Sequence, residues 1–217
     1  MRDLIYEKIK KDILTCTYEP GQKLSEAILS KSFGASRSLI REVLISLEFE
    51  NLIVVVPKIG SFVAPISFDY LSQALFVRRS LEVANLRDLV FPMLSSHLEL
   101  LQLEVERTEI LLNLNQYADV IDSTNEFHKM LFLFNGRVNI WDYIKIFNNS
   151  VQVLHQVEKL DQELRSHKLH EQHKELIQRL RDSDLDSAID LMIDHVSIDF
   201  NDMHIIAREP FKNSQSL

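Results

Sequence analysis

The sequence predicts a mainly α-helical chain in two parts: three helices closed by a β-hairpin, then an all-α bundle of six to seven helices. Three observations predict it. The 217 residues include only four glycines and five prolines, and apolar residues recur at helical spacing over most of the length. One stretch breaks that pattern, because Leu52 to Pro57 and Phe62 to Pro65 are short β-branched or aromatic runs around a Lys58-Ile59-Gly60-Ser61 turn. Beyond a short Ser67-Phe68-Asp69 linker, breakers become sparse again and the helical spacing returns.

Composition sets the limits. A hydrophobic content of 46% supports real cores, in one large or two small domains, and the break near Ser67 divides them as 1–66 and 70–210. The single cysteine, Cys16, excludes an internal disulfide and a thiolate metal cluster, and reads as a small buried hydrophobe. No apolar run reaches signal-peptide length at the amino terminus or spanning length later, so the expected location is the cytoplasm, with no membrane partner. The net charge of −8 is unevenly spread: residues 1–65 carry nine Lys or Arg against eight Asp or Glu, and the remainder fifteen against twenty-four. A near-neutral first part can bind a polyanion through a grouped basic tip, while the acidic second part avoids one.

In order along the chain, Leu4, Ile5, Ile9, Ile13 and Leu14 form an amphipathic helix to about Thr15, with Lys8, Lys10 and Lys11 expected on its wet face. Tyr18-Glu19-Pro20-Gly21 is a turn. Ser25 caps a short helix through Ala27, Ile28, Leu29 and Phe33, with Glu26 favourable in its first turn, and Gly34 ends it. The next helix, Ser36 to Asn51, buries Ile40, Leu44 and Leu47 on one stripe and groups Ser36, Arg37, Ser38 and Arg41 at its amino-terminal end. Its free amide donors and two arginines one turn apart suit a phosphate backbone or a base edge. Two short helices joined by Gly34-Ala35, followed by a hairpin, make a winged helix-turn-helix, in which Lys58 reaches phosphate and Gly60 lets the backbone come close.

Residues 4–66 resemble the winged-helix domain of the GntR family of bacterial transcription regulators. The resemblance rests on Pro20-Gly21-x-x-Leu24-Ser25-Glu26, Phe33-Gly34-Ala35-Ser36-Arg37, Arg41-Glu42-x-Leu44, Leu47-Glu48 and Pro57-x-x-Gly60-Ser61-x-Val63. It implies DNA binding through Ser25, Ser36, Arg37, Ser38, Arg41, Lys58 and Gly60. The chain departs from the family in having Ser38-Leu39 in place of Thr-Pro, Asn51 in place of glycine, and Ile59 where a basic residue precedes the wing glycine. Lys58 stands in for that charge.

The second part reads as helices over Tyr70 to Val90, His97 to Asn113, Gln116 to Phe134, Trp141 to Leu160, Lys168 to Arg181 and Leu185 to about Ile206, with a frayed end after Pro210. Its chemistry rests on histidine. His128 shares a stripe with Val120, Thr124 and Leu131, His173 with Leu169, Leu176 and Leu180, and His195 with Ala188, Leu191 and Ile198, so all three face inward. A single inward histidine is most often a hydrogen-bonded core residue. Three carry more weight. His173 and His195 each lie eleven residues from Asp184, in the expected Arg181-Asp182-Ser183-Asp184 turn, and therefore at one height in an antiparallel helical hairpin, roughly 16 Å from its bend. If His128 enters from a third helix, the three imidazoles form the ligand set of a zinc-like or nickel-like site with open positions. His97, His155, His167, His170 and His204 fit no such pattern and read as surface or incidental residues.

Arg78-x-x-x-Glu82, Phe127-His128, His173 and Asp184-x-x-x-Ala188-x-x-x-Met192-x-x-His195 resemble the FCD effector domain of the FadR-like branch of the same family. The resemblance implies a small, carboxylate effector and a divalent metal, zinc or nickel, on His128, His173 and His195. Metal-bearing members add an aspartate one turn before the first histidine, where this chain has Thr124; Asn125 or Asp199 then takes the role of ligand or supporting partner. Arg78 has two readings, an intrahelical pair with Glu82 or a fork that grips the effector carboxylate. Thr124 and Asn125 complete the candidate effector contacts.

The expected protein is a homodimeric regulator bound to a double-stranded DNA operator, since two recognition helices meet half-sites about one helical turn apart. Two alternatives stay open: the same regulator with a metal-free effector pocket, and a helical metal-dependent enzyme. Against the enzyme stand the absence of a strand-bounded nucleophile and of a carboxylate in an obvious general-base position beside the histidines. The expectation is that the chain is not an enzyme.

Overall fold

The computed structural model describes residues 1–157 and 162–197. Described residues fall into two compact units, one made of 1–74 with the described part of 146–158, the other of 75–145 with the described part of 159–199.

In the first unit, helix α1 (Arg2–Leu14) is followed by a two-residue strand β1 (Lys23–Leu24), helices α2 (Glu26–Phe33) and α3 (Arg37–Phe49), and the strands β2 (Ile53–Val56) and β3 (Gly60–Val63). The strands form one antiparallel sheet in the order β1-β3-β2, with Lys23 opposite Phe62 and Val56 opposite Gly60. Caps fix the two short helices as the residue types require. The Ser25 hydroxyl accepts from the amide of Ile28 and the Ser36 hydroxyl from that of Leu39, while Gly34 takes the left-handed conformation that ends α2. Ile40, Leu44 and Leu47 are at most 1% exposed and pack with Ile5, Ile9, Ile13, Leu29, Ile53 and Val63, so the stripe read from α3 is the centre of this core. Cys16 is half-buried at its edge.

β1 was absent from the sequence expectation. Two residues carry no periodicity, and what makes them a strand is tertiary: the Gly21 amide donates to Val63, and the Val63 amide to Gln22. Lys10 is a correction. It does not lie on the wet face, because its ammonium pairs with Glu50, which also accepts from the Tyr6 hydroxyl and, at 3.1 Å, from Asn149 Nδ2. Only 15% of the Lys10 side chain and 17% of the Glu50 side chain remain exposed.

The second unit holds most of helix α4 (Phe68–Arg87), then α5 (Ser95–Asn113), α6 (Tyr117–Phe134), the first turns of α7 (Val138–Val157), α8 (Gln162–Arg181) and α9 (Leu185–His195). Its core joins Leu86, Leu101, Val105, Phe127, Leu131, Leu176, Leu180, Ala188 and Met192. The Asp184 carboxylate caps α9 by accepting from the amide of Ser187, and Ser183 takes a positive φ of 59°, so residues 181–184 make the expected turn. Several boundaries differ from expectation. α4 begins at Phe68, so that Phe68 and Asp69 of the expected linker are helical, and it ends at Arg87 instead of Val90, while α7 begins at Val138 instead of Trp141. α8 begins at Gln162, six residues before Lys168, and α9 closes at His195 with Val196 as its cap; the expected continuation from Ile198 to Ile206 lies outside the described residues.

Burial alone would raise the Glu50 carboxyl, but Lys10, Tyr6 and Asn149 outweigh it and hold the group below the usual carboxylate range. A depressed folded pKa contributes stability above the unfolded value, and that contribution is lost as pH falls through the folded one. Glu50→Gln is therefore expected to lower stability by about 1–3 kcal/mol at neutral pH, with the difference from the parent closing below about pH 4. Urea unfolding midpoints of both proteins at a series of pH values provide the check.

Candidate functional site

The three inward histidines meet. His128 projects from α6, His173 from α8 and His195 from α9, and they are 0%, 1% and 8% exposed. Their Nε2 atoms are 3.0 Å apart for His128 and His195, 3.0 Å for His173 and His195, and 3.3 Å for His128 and His173. Among the described residues, these three form the cluster able to hold a metal ion. Phe127 stacks on the His173 ring with centroids 4.0 Å apart, and Trp141 lies parallel to His128 at 5.9 Å, so apolar rings wall the site.

The outer nitrogens decide what the inner ones can do. His128 Nδ1 is 2.5 Å from Glu82 Oε2, and a carboxylate can only accept, so that nitrogen carries the proton. Gln172 donates through Nε2 to Asp194 at 2.7 Å, which turns its carbonyl oxygen toward His195 Nδ1 at 3.1 Å and fixes the same tautomer there. In the neutral state both Nε2 atoms then present lone pairs, 3.0 Å apart in a buried site, with Arg78 Nη2 3.2 Å from that of His128. Burial drives His173 and His195 well below the usual imidazole value, and lowers His128 against the opposing pull of Glu82, all of which favours the neutral rings. Lone pairs facing one another at this range repel unless a positive centre lies among them.

A divalent ion fits that demand. At an imidazole bond length of about 2.0–2.1 Å, nitrogens 3.0–3.3 Å apart subtend roughly 90–110° at the ion, between octahedral and tetrahedral angles. The carboxylate on His128 and the amide on His195 are the orienting partners that metal-bound histidines commonly have.

Arg78 makes the intrahelical pair with Glu82 and also reaches the histidines. Its Nε donates to Glu82 Oε1 at 2.6 Å, and its Nη2 is 3.2 Å from His128 Nε2. Burial would raise the Glu82 carboxyl, yet His128 and Arg78 overcome it and bring the group down to about 2. Glu82 is the residue that spacing alone undervalued: it is the carboxylate beside the histidines that the sequence reading did not find, and it is fully engaged on both oxygens. Gln172 and Asp194 went unnoticed too, because on helices of this composition a glutamine or aspartate gives no signal that separates it from surface.

Thr124 stands one turn before His128 and is half-buried, while Asn125 is buried. Asp199 and His204 lie outside the described residues. His170 is a correction to the surface reading, being only 3% exposed, with neither ring nitrogen in a hydrogen bond. Its neighbours in sequence, His167, Lys168, Glu171 and Lys174, are exposed and mask its inward position on the helix. His97 stacks on Phe134 at 4.0 Å.

On the first unit, Arg37, Ser38 and Arg41 are exposed at the start of α3, with Ser25 and Ser36 in the two caps. Lys58 is exposed at the wing tip in a left-handed conformation, φ 66°, and Gly60 has φ 135°. Lys23 was missed. From β1 its ammonium lies 5.7 Å above the Phe62 ring, and its Cε is 3.1 Å from where a side chain on Gly60 would begin. Gly60 thus makes room for Lys23 as well as bending the wing.

A helix-turn-helix with a hairpin wing, joined to a separate helical unit, defines the class of DNA-binding transcription regulators. Comparison with known proteins gives the family. The description "Bacterial regulatory proteins, gntR family" matches residues 2–63 and the FCD domain matches residues 73–197, and the chain belongs to the GntR family of transcription regulators that carry an FCD domain. It is similar to the HTH-type transcriptional repressor RspR of Escherichia coli K12, at 27% identity over 192 residues covering 88% of this chain and 84% of the relative. An HTH-type transcriptional regulator of Streptomyces ambofaciens is 29% identical over 203 residues, covering 93% of this chain and 84% of the relative. Among solved structures, a GntR regulator from Rhodococcus sp. RHA1 shares the fold at a TM-score of 0.77 and 17% identity, covering 96% of this chain and 99% of that one. E. coli McbR/YncC does so at 0.74 and 16% identity, covering 95% and 97%. No helix among the described residues is long and apolar enough to cross a membrane.

Removing the Glu82 carboxylate leaves a buried guanidinium and an imidazole N–H without their acceptor. Glu82→Ala is expected to cost about 3–5 kcal/mol of stability in chemical denaturation. A loss below about 1 kcal/mol would show that Glu82 does not hold Arg78 and His128 together.

Proposed function

We propose that this regulator works as a homodimer whose operator affinity is set by a small carboxylate metabolite bound in the helical domain, residues 70–210, at a divalent metal held by His128, His173 and His195. The observation that carries the reading is the meeting of three buried imidazole nitrogens with two of their tautomers fixed to leave lone pairs inward. Three protein ligands leave coordination positions open, and zinc or nickel there would supply a Lewis-acidic contact for a carboxylate. Arg78, with Thr124 and Asn125 on the same side of α6 as one candidate wall, supplies the effector's remaining polar contacts. Both oxygens of Glu82 are committed, so among the described residues the carboxylate on His128 is not a free general base, which supports a regulator over an enzyme. A chain that reads the chromosome belongs in the cytoplasm.

A second reading keeps the regulator without the metal. Arg78 Nη2 already donates toward the His128 Nε2 lone pair that an ion would take, and Thr124 occupies the position of the expected aspartate. Metal analysis of the purified chain separates the two. Near-stoichiometric zinc or nickel, lost in His173→Ala, is the expected result. Stoichiometric metal that survives the substitution places the ion elsewhere, and a metal-free chain that still responds to a carboxylate supports the second reading.

DNA recognition is assigned to residues 1–66, through Arg37, Arg41 and Ser38 on α3, Ser25 and Ser36 at the helix caps, and Lys58, Gly60 and Lys23 at the wing. Dimerisation follows from half-sites one helical turn apart. Arg37→Ala and Arg41→Ala are each expected to weaken specific binding by about 1–3 kcal/mol, roughly 5- to 150-fold. Lys23→Ala and Lys58→Ala are expected to weaken specific and non-specific duplexes alike and to flatten the salt dependence by about one unit of slope. Titrations of selected and scrambled duplexes at several salt concentrations check both. Arginine variants that leave specific binding unchanged would remove α3 from the recognition surface.

A further inference from the structure

A half-buried carboxylate sits among the residues assigned to DNA, where it repels phosphate. Glu26, in the first turn of α2, accepts from Arg41 through both oxygens, Oε1 from Nε at 3.0 Å and Oε2 from Nη2 at 2.9 Å. The Arg41 side chain is 65% exposed and that of Glu26 29% exposed. An ion pair this wet contributes little to folding, so stability does not account for it. Its geometry suggests a different role. The fork engages the Nε edge of the guanidinium and leaves the outer edge, Nη1 with the second hydrogen of Nη2, directed away from Glu26. That outer pair of donors can bond O6 and N7 of guanine in the major groove.

The two helices are held in register for this. The Ser30 hydroxyl donates to the carbonyl of Ala35 at 2.6 Å across the Gly34-Ala35 turn, and both helices begin at serine caps, so the base of each side chain is fixed. A free arginine loses about 2 kcal/mol of rotamer freedom when it is ordered, and it can swing onto any phosphate within reach. The carboxylate removes much of that freedom before DNA arrives and raises the cost of the phosphate-bound rotamers, because Glu26 would be left facing the backbone uncompensated.

We propose that Glu26 is a specificity-determining positioning residue: by clamping Arg41 it presents the outer guanidinium edge to a guanine and denies it to the phosphate backbone. The inference rests on the reading of residues 1–66 as the DNA-binding domain and adds a role for a residue outside the basic tip.

The test is selection from a pool of randomised duplexes with the full-length parent, Glu26→Ala, Glu26→Gln and Arg41→Ala, at one fixed salt concentration. Affinities are then measured for the parent's selected duplex and for a scrambled duplex. Glu26→Ala is expected to lose base preference at the same G·C pair that Arg41→Ala loses, with the ratio of specific to scrambled affinity falling about tenfold or more. Its affinity for the scrambled duplex stays equal or rises, since a negative charge has left the surface. Glu26→Gln, which keeps one acceptor oxygen, falls between. An unchanged preference at that pair in Glu26→Ala, or an equal loss on both duplexes, overturns the clamp while leaving the domain assignment standing. A parent chain that enriches no motif overturns the domain assignment and the clamp with it.

Discussion

Neutral imidazoles packed lone pair to lone pair are costly in a protein interior, and the second unit holds two of its three clustered histidines in that state. Glu82 holds the proton of His128 on the outer nitrogen, and Gln172, itself oriented by Asp194, does the same for His195. Phe127 and Trp141 exclude water from the rings. Each of these contacts pulls on a different helix, α4, α6, α7, α8 or α9, so the histidine cluster is also where those helices are pinned to one another. A ligand that alters the cluster acts on five helices at once, which is the physical condition for a local event to have a distant effect.

Legibility in the sequence followed periodicity. The α3 stripe of Ile40, Leu44 and Leu47 and the inward faces of His128, His173 and His195 are consequences of helical spacing, and all six are buried. The convergence of His173 and His195 was readable because they are equidistant from a turn. What stayed hidden depends on partners far apart in sequence. Lys10 looked solvated until Glu50 was placed beside it, and Lys23 and Leu24 became a strand only because β3 was there to pair with them. His170 shows the converse limit: four exposed polar neighbours outvote one inward position when a helix is read residue by residue.

The two units use charge in different ways. In the helical unit, Arg78 and Glu82 are enclosed, and each would be costly without the other. On the winged helix the corresponding fork, Arg41 with Glu26, is partly open to solvent and contributes little to holding the fold. The same pair of side chains thus serves structure where it is dry and geometry where it is wet. Burial is the variable that separates them.

The turn at residues 181–184 touches none of the three histidines, yet it sets the phase between two of them. One residue inserted there would rotate the following helix by about 100° and carry His195 off the face it shares with His173. The loop between α8 and α9 is therefore frozen in length by a site roughly 16 Å away, whereas the connections outside the stretch from His173 to His195 are under no such constraint from that pair. In this domain the tolerance of a loop to insertion is decided by the register of the helices it joins, and its exposure to solvent is a poor guide.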